Sequence, residues 1–270
     1  MIKLLSILAL IMCTSCTQGG DNNQKSTSQE LILKDTIAYS YQNHMHFSPY
    51  FVEHNGNIDT AYYKITYPIF EDKYFNDAVH SFILIDGDQN IESAAESFIL
   101  GYNEFVEESS TETINFPWFK NVTSQVWVNT PRVMTLATAV DEFTGGAHGI
   151  HYTVLSNFDV AMKKKIELED IVRKEKLADL TKLAEKHFRK NENLSDTASL
   201  QKKFFFENGI FAINDNFALT NSGLIFFYNE YEIRPYADGP TLLKIPYSDI
   251  ASILNPLGQQ YMSSIQESLN

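Results

Sequence analysis

A glycine-rich turn with a histidine is where the sequence most clearly offers side chains and backbone suited to chemistry. Residues 143–149 read FTGGAHG and contain Gly145, Gly146 and His148. Glycine lets the backbone take positive φ angles or approach another surface closely. A phosphate-binding loop would need a Lys-Ser/Thr ending and a following helix, which this segment lacks. Two interpretations stay open: a tight hairpin in which His148 hydrogen-bonds locally, and an exposed loop that contacts a ligand.

Histidines elsewhere raise the question of a metal site. His44 and His46 lie two residues apart, so they share one face of a strand, and His54 is near in sequence. His148 and His151 lie three residues apart, and such residues on a strand point to opposite faces. The sequence has no HExxH motif. We therefore predict no metal centre and no cofactor, and interpret these histidines as surface residues.

Signatures of hydrolytic catalysis are missing from the sequence. There is no G-x-S-x-G or S-x-x-K motif, and both cysteines lie within the first 16 residues. Adjacent acidic residues such as Glu107 and Glu108 are expected by chance among 34 acidic residues. A glycosidase requires two carboxylates that face each other across a cleft, which adjacency does not indicate. The sequence predicts no catalytic residue.

Composition and charge narrow the class of protein. The chain has 270 residues, of which 44% are hydrophobic and 20% charged, as expected for a folded protein. The 21 basic and 34 acidic residues give a formal net charge of -13. No basic run offsets this charge, so we expect no binding to nucleic acid.

The first 16 residues, MIKLLSILALIMCTSC, are typical of a lipoprotein signal peptide. Lys3 is followed by an apolar stretch that is too short to cross a bilayer, which takes about 20 residues. A small Thr-Ser pair precedes Cys16, whereas the bulky Met12 precedes Cys13. We therefore predict that Cys16 carries the lipid, with a plain secretory signal as the alternative.

Residues 17–29 contain no large apolar side chain, which predicts a flexible tether between the lipid and the folded part. Thr17, rather than an acidic residue, follows Cys16, as in lipoproteins that Gram-negative bacteria sort to the outer membrane. We expect a cell-envelope protein, facing the periplasm or the surface, with the lipid as its only membrane attachment.

The elements that must position the candidate residues form two α+β halves, residues 30–112 and 113–270, each predicted as an antiparallel sheet with packed helices. Strand-like runs occur at residues 31–41, 59–70, 122–128, 132–143, 150–160, 217–219, 224–228 and 242–245. Helical spacing of apolar residues occurs at residues 74–84, 91–106 and 177–189. A further helix is expected to start near Ser248, and Pro68 to end the second strand or place it at an edge.

Three segments resemble an extracytoplasmic two-domain family of unknown function. Residues 141–159, DEFTGGAHGIHYTVLSNFD, and residues 216–250 with their YEIRPYADG stretch are similar to signatures of its C-terminal domain. Residues 63–70, YKITYPIF, before two helices resemble its N-terminal companion. This pair of domains resembles the outer part of the lysozyme-sensing anti-sigma factor RsiV, and similar domains precede the catalytic domain of the peptidoglycan deacetylase PdaC.

The resemblance implies a fold, an envelope setting and a role in binding lysozyme or peptidoglycan fragments. It marks a ligand-binding or structural loop formed by Gly145, Gly146, His148, Tyr231 and Tyr236. It implies neither anti-sigma activity nor deacetylation, because the sigma-binding segment and the catalytic metal domain have no counterpart in this sequence. We therefore predict a lipid-anchored binding or sensing module of the envelope. The alternative is a hydrolase or transferase that acts on wall polymer.

Overall fold

An α+β fold with one large and one small sheet is formed by the chain, which confirms the predicted fold class. A computed structural model describes residues 36–54, 56–84, 87–109 and 116–268. The predicted signal peptide, Cys16 and the predicted tether lie outside the described residues.

Six strands build the larger sheet in chain order: β1 Tyr39–His54, β2 Asn57–Phe70, β3 Phe119–Asn129, β4 Val133–Phe143, β5 Ile150–Asp159 and β6 Lys164–Lys165. The smaller sheet contains β7 Phe217–Thr220, β8 Gly223–Tyr228 and β9 Thr241–Ile245. The antiparallel meander β3-β4-β5 agrees with the antiparallel pairing predicted for residues 113–270.

In the described part of the chain, six α-helices accompany the sheets: α1 Lys73–Ile83, α2 Ile91–Glu108, α3 Leu168–Ile171, α4 Leu177–Asn191, α5 Tyr247–Ile250 and α6 Pro256–Glu267. Asn90 caps α2, because its side chain accepts a hydrogen bond from the Ser93 N–H. Within the described ranges, no helix combines the length and the apolar character that crossing a bilayer would need.

The pairing of β2 with β3 is parallel, unlike every other pair among the described strands. Tyr62 lies opposite Phe119 and Thr66 opposite Thr123, and α1 and α2 form the long connection that a parallel pair requires. Strands from both sides of residue 112 thus share one sheet. The division into residues 30–112 and 113–270 stays a prediction.

The start of β1 differs from the sequence-based expectation, whereas β2 ends at Phe70 as expected. β1 begins at Tyr39, so the strand-like run at residues 31–41 only overlaps its start. A half-buried strand is recognised in a sequence by polar residues at its exposed positions. In β1 the exposed positions include the apolar residues Met45 and Phe47, so this pattern is missing. Pro68 does not end β2 but lies at a local edge, which is the other alternative that the sequence left open. β2 pairs with β3 only up to Thr66, so the missing N–H of Pro68 costs no hydrogen bond to β3.

The closing helix also begins later than expected. Ser248 lies in the short helix α5, and the long C-terminal helix is α6. Asn255 caps α6 by accepting a hydrogen bond of 2.8 Å from the Gly258 N–H. Pro256 at the first helical position has a φ angle already suited to a helix, which makes this pair a stronger start signal than Ser248.

The larger sheet has a different cover on each face. Helices α1 and α2 pack on one face, where the core includes Tyr63, Ile65, Val122, Val140, Phe75, Val79 and Ala95. At one end of the opposite face the small sheet packs on the large one through Ala137, Leu155, Ala218 and Ile225. A second core forms around the small sheet, α4 and α6. The rest of the opposite face carries exposed or half-exposed side chains.

Candidate functional site

Two distant segments meet at the end of the β4-β5 hairpin. The imidazole of His148 stacks on the ring of Tyr236, with ring centroids 4.1 Å apart and planes 21° apart. The hydroxyl of Tyr231 lies 3.2 Å from His148 Nε2. The ring of His151 lies 6.1 Å from that of Tyr236. We call His148, His151, Tyr231 and Tyr236 the His148 cluster. It brings together three of the five residues singled out from the sequence.

The other two, Gly145 and Gly146, shape the turn before His148. Their φ angles are +105° and +96°, a conformation that side chains with a Cβ rarely adopt. A Cβ added at either position would meet nothing within 4 Å. Backbone conformation, rather than crowding, is therefore the reason for glycine here.

Hydrogen bonds at both ring nitrogens fix the orientation of His148. Nδ1 lies 2.8 Å from the Gly149 carbonyl oxygen, which can only accept, so Nδ1 carries a proton. In the neutral ring Nε2 then accepts from the Tyr231 hydroxyl. The structure therefore contains the local hydrogen bond expected of a tight hairpin. It also places His148 in an exposed loop, as expected of a loop that contacts a ligand. Tyr231 has a φ of +66°, which is unusual for a residue with a side chain.

Carboxylates lie close to the cluster. His151 Nδ1 is 2.9 Å from Asp141 Oδ1, and both side chains are about two-fifths exposed. The pKa of Tyr236 is raised by desolvation and by the nearby charges of Glu230 and Asp141. Tyr236 therefore stays a neutral hydrogen-bond donor at physiological pH. Both histidines contact Tyr236, although residues three apart on a strand would diverge, because His148 precedes β5.

Two asparagines that the sequence analysis did not single out hold the Tyr231 segment against β5. Asn229 Oδ1 accepts a hydrogen bond of 2.7 Å from the Thr153 N–H. Asn216 Oδ1 accepts one of 2.7 Å from the Leu155 N–H, and its Nδ2 donates to the Thr153 carbonyl. These side chains pair with the β5 backbone as a further strand would. Asn216 directly precedes β7 and Asn229 directly follows β8, and this position is the only signal that the sequence offers.

A partly buried ion pair anchors the same segment on its other side. Arg234 Nη2 lies 2.6 Å from Glu192 Oε1, and each side chain is about one-seventh exposed. Lys203 Nζ lies 3.2 Å from Glu192 Oε2. Burial raises the pKa of Glu192, but the hydrogen bonds from Arg234 and Lys203 outweigh it and hold this pKa below its ordinary value. The segment that carries Tyr231 and Tyr236 is therefore tied to the end of α4.

The described residues offer no group of three or more His, Cys, Asp or Glu side chains placed to hold a metal ion. His44 and His46 lie on β1, opposite Ile65 and Tyr63 of β2.

The fold and the cluster define an α+β protein in which a helix-covered sheet precedes a small-sheet region that completes the site. Residues 54–151 match the family model described as deacetylase PdaC, and residues 169–248 match that of a protein of unknown function, DUF3298. The chain carries both domains, which confirms the predicted resemblance to this two-domain family of unknown function.

Solved structures of DUF3298 proteins share the fold. One from Bacteroides fragilis is 21% identical, has a TM-score of 0.63, and covers 87% of this chain and 100% of its own. One from Pseudomonas aeruginosa PAO1 is 21% identical, has a TM-score of 0.64, and covers 83% of this chain and 97% of its own. At this identity the likeness concerns the fold alone.

Curated relatives match part of the chain. The immunogenic proteins MPB64 of Mycobacterium bovis and MPT64 of Mycobacterium tuberculosis are each 30% identical over 142 residues. The match covers 51% of this chain and 60% of each relative, so the chain spans about three fifths of the length of these relatives.

Proposed function

We propose that the protein is a lipid-anchored module of the cell envelope that binds a peptidoglycan-related ligand without converting it. The observation that carries this proposal is the His148 cluster. Its aromatic rings come from two segments 83 residues apart, face solvent, and are held by hydrogen bonds to a rigid sheet. Binding residues are commonly loop residues positioned by such a scaffold.

The N-terminal sequence supports the envelope setting. A lipid on Cys16 would attach the chain to the membrane, and residues 17–29 would let the folded part reach away from it. Thr17 after the anchor favours the outer membrane of a Gram-negative bacterium. The match to a domain named for the deacetylase PdaC agrees with a role close to the wall polymer.

Co-sedimentation with purified insoluble peptidoglycan tests the proposal, with the full chain kept in detergent. We expect the wild type to sediment with the polymer. The Tyr231→Ala variant should lose most of this retention, because Tyr231 is 56% exposed and reaches His148. Phe205→Ala is the matched control, since Phe205 is 54% exposed and lies outside the cluster. Equal retention of both variants, or none of the wild type, would contradict the proposal.

Lysozyme is a second candidate ligand, favoured by the net charge of -13. Complementary charge speeds the association with a cationic protein, but salt shortens the range of this effect to about 8 Å near 0.15 M. Calorimetry with lysozyme at that salt concentration, with equally basic cytochrome c as control, separates specific binding from charge attraction. Equal affinity for both proteins would reduce the lysozyme candidate to nonspecific attraction.

An enzyme acting on wall polymer is favoured by one contact, the 2.9 Å pair of His151 and Asp141. Such a pair can act as a general base when the histidine faces a substrate. Incubation of the protein with purified peptidoglycan distinguishes the two functions. Release of soluble products that stops in the His151→Gln variant would replace binding by catalysis.

A further inference from the structure

One aromatic residue from each of the strands β1 to β4 contributes to an aromatic strip on the sheet face opposite α1 and α2. It consists of Phe47, Tyr62, Phe119 and Phe143, which lie directly opposite one another on consecutive strands. Neighbouring ring centroids are 6.4, 5.9 and 6.0 Å apart. The strip crosses three strand spacings of about 4.8 Å, hence roughly 14 Å.

A cavity of about 340 Å³ lies beside this strip on the same face. One row of its lining is Asn121, Asp141 and His151, each opposite the next on β3, β4 and β5. The next row is Thr123, Ala139 and Thr153. The volume is at the lower end of the range of small-ligand pockets, about 300–1,000 Å³.

The strip, the cavity and the His148 cluster are continuous. Asn121 and Phe119 are two residues apart on β3, and the Asn121 amide donates a hydrogen bond of 3.3 Å to the Tyr62 hydroxyl. At the other end, His151 lines the cavity and also belongs to the His148 cluster. A long ligand could therefore contact all three.

The lining residues decide the chemistry of the occupant. No lysine or arginine lines the cavity, and the carboxylate of Asp141 would repel an anion. A purely apolar ligand would leave Asp141 and Asn121 desolvated without new hydrogen bonds. A neutral ligand that carries hydroxyl groups matches both demands, because a carboxylate accepts from hydroxyls and an amide both donates and accepts.

We propose that this face binds an uncharged oligosaccharide. One sugar ring occupies the cavity and hydrogen-bonds Asn121, Asp141 and Thr153, while neighbouring rings lay their C–H surfaces along the aromatic strip. The inference rests on the proposed function, in which the source of the saccharide is the glycan of peptidoglycan, and it names the part of that polymer that is bound.

Titration of the full chain in detergent with chitotetraose, the β-1,4-linked tetramer of N-acetylglucosamine, tests the proposal. Saturable binding is expected by calorimetry. Thr153→Val keeps the shape of the side chain and removes one hydroxyl, and Asp141→Asn removes the charged acceptor. Each should weaken binding, the latter roughly tenfold or more. Thr241→Val is the matched control, because it makes the same change on β9 of the small sheet.

A substitution in the aromatic strip tests its contribution to binding separately from that of the cavity. Phe47→Leu replaces a ring that is 51% exposed and so leaves the core intact. It should weaken chitotetraose binding while the melting temperature stays close to that of the wild type. Cellotetraose, which lacks the acetamido groups, should bind through the same hydroxyl contacts.

Failure of this inference differs from failure of the proposed function. If the wild type sediments with peptidoglycan but shows no saturable binding of chitotetraose, the saccharide site is wrong and the proposed function stands. If neither is bound, both are wrong. Equal weakening by Thr153→Val and Thr241→Val would also overturn the saccharide site.

Discussion

The side-chain amide of Asn229 pairs with both backbone polar atoms of Thr153. Oδ1 accepts from the Thr153 N–H at 2.7 Å, and Nδ2 donates to the Thr153 carbonyl oxygen at 3.2 Å. An amide side chain therefore replaces the backbone of a neighbouring strand at this point of β5. Because Tyr231 follows two residues later, this pair sets the distance between Tyr231 and the hairpin that carries His148.

Replacing Asn229 by alanine should destabilise the protein. The variant leaves the backbone N–H of Thr153 without its partner, which costs roughly 1–3 kcal/mol in the free energy of unfolding. Urea denaturation measures this difference. Asn221→Ala, in the exposed turn between β7 and β8, is the control and should change the free energy by less than about 0.5 kcal/mol. Equal values for the two variants would contradict the role given to Asn229.

Gly146→Val should lower the melting temperature. The φ angle of +96° at Gly146 disfavours a β-branched side chain by about 1–3 kcal/mol. Gly101→Ala is the opposing control, because Gly101 lies inside α2 and an added Cβ would be 3.8 Å from Trp118, an ordinary contact. Alanine should stabilise that helix by roughly 0.5–1 kcal/mol. An unchanged melting temperature together with lost ligand binding would identify residues 145–148 as a contact surface instead.

Glu192→Gln should reduce the dependence of stability on acid pH. The pKa of Glu192 lies below its ordinary value of 4.5 in the folded protein, so its contribution is complete above that value. The contribution is lost as the pH falls through the folded-state pKa. Urea denaturation at neutral and acid pH should give a smaller difference for the variant than for the wild type. An equal difference in the free energy of unfolding between neutral and acid pH in both proteins would show that the ion pair with Arg234 adds no net stability.

Alkaline pH should unfold the protein as buried phenols ionise. Burial raises the pKa of Tyr228, Tyr247 and Tyr261, and in Tyr261 the carboxylate of Asp159 at 2.6 Å adds to this effect. Their stabilising contribution is complete below the unfolded-state pKa of about 10 and is lost as the pH rises from there through the folded-state values. Tyr247→Phe should lessen the loss of stability above about pH 10. The ultraviolet absorbance of tyrosinate measures the ionisation of the phenols, and denaturant unfolding at each pH measures the loss of stability.

Cys16→Ala should release the protein from the membrane. Without its lipid, the chain is expected in the soluble envelope fraction, whereas Cys13→Ala should remain in the detergent-soluble membrane fraction. Cell fractionation with an antibody against the folded part compares the two. If Cys13→Ala is released and Cys16→Ala is retained, the lipid is on the other cysteine.

Local patterns predicted the elements whose two sides differ in burial. The helical spacing of apolar residues predicted α1, α2 and α4 to within a few residues, and the strand-like runs predicted β3, β4 and β5 equally closely. The parallel pairing of β2 with β3 could not be predicted, because no local pattern states which distant strand is the neighbour. The predicted position of β1 was too early in the chain, because several exposed side chains of this strand are apolar and hide its pattern.

The sequence predicted which residues belong to the candidate site but not how they are arranged. The resemblance marked His148, Tyr231 and Tyr236, but nothing in their sequence positions indicates that they touch. The contact depends on the side chains of Asn229 and Asn216 and on the ion pair of Arg234 with Glu192. Polar residues of these types are common on surfaces, so their structural role becomes visible only when the fold brings them to β5 and α4.

The parallel pair of β2 and β3 has a consequence for shortened forms of the protein. A chain that starts after α2 would lack the strand that covers β3. The backbone N–H and C=O groups on the β2-facing edge of residues 119–123 would then lie free, and such an edge is a template for pairing with other molecules. Such a fragment should aggregate, whereas in the longer chain β2 covers this part of β3.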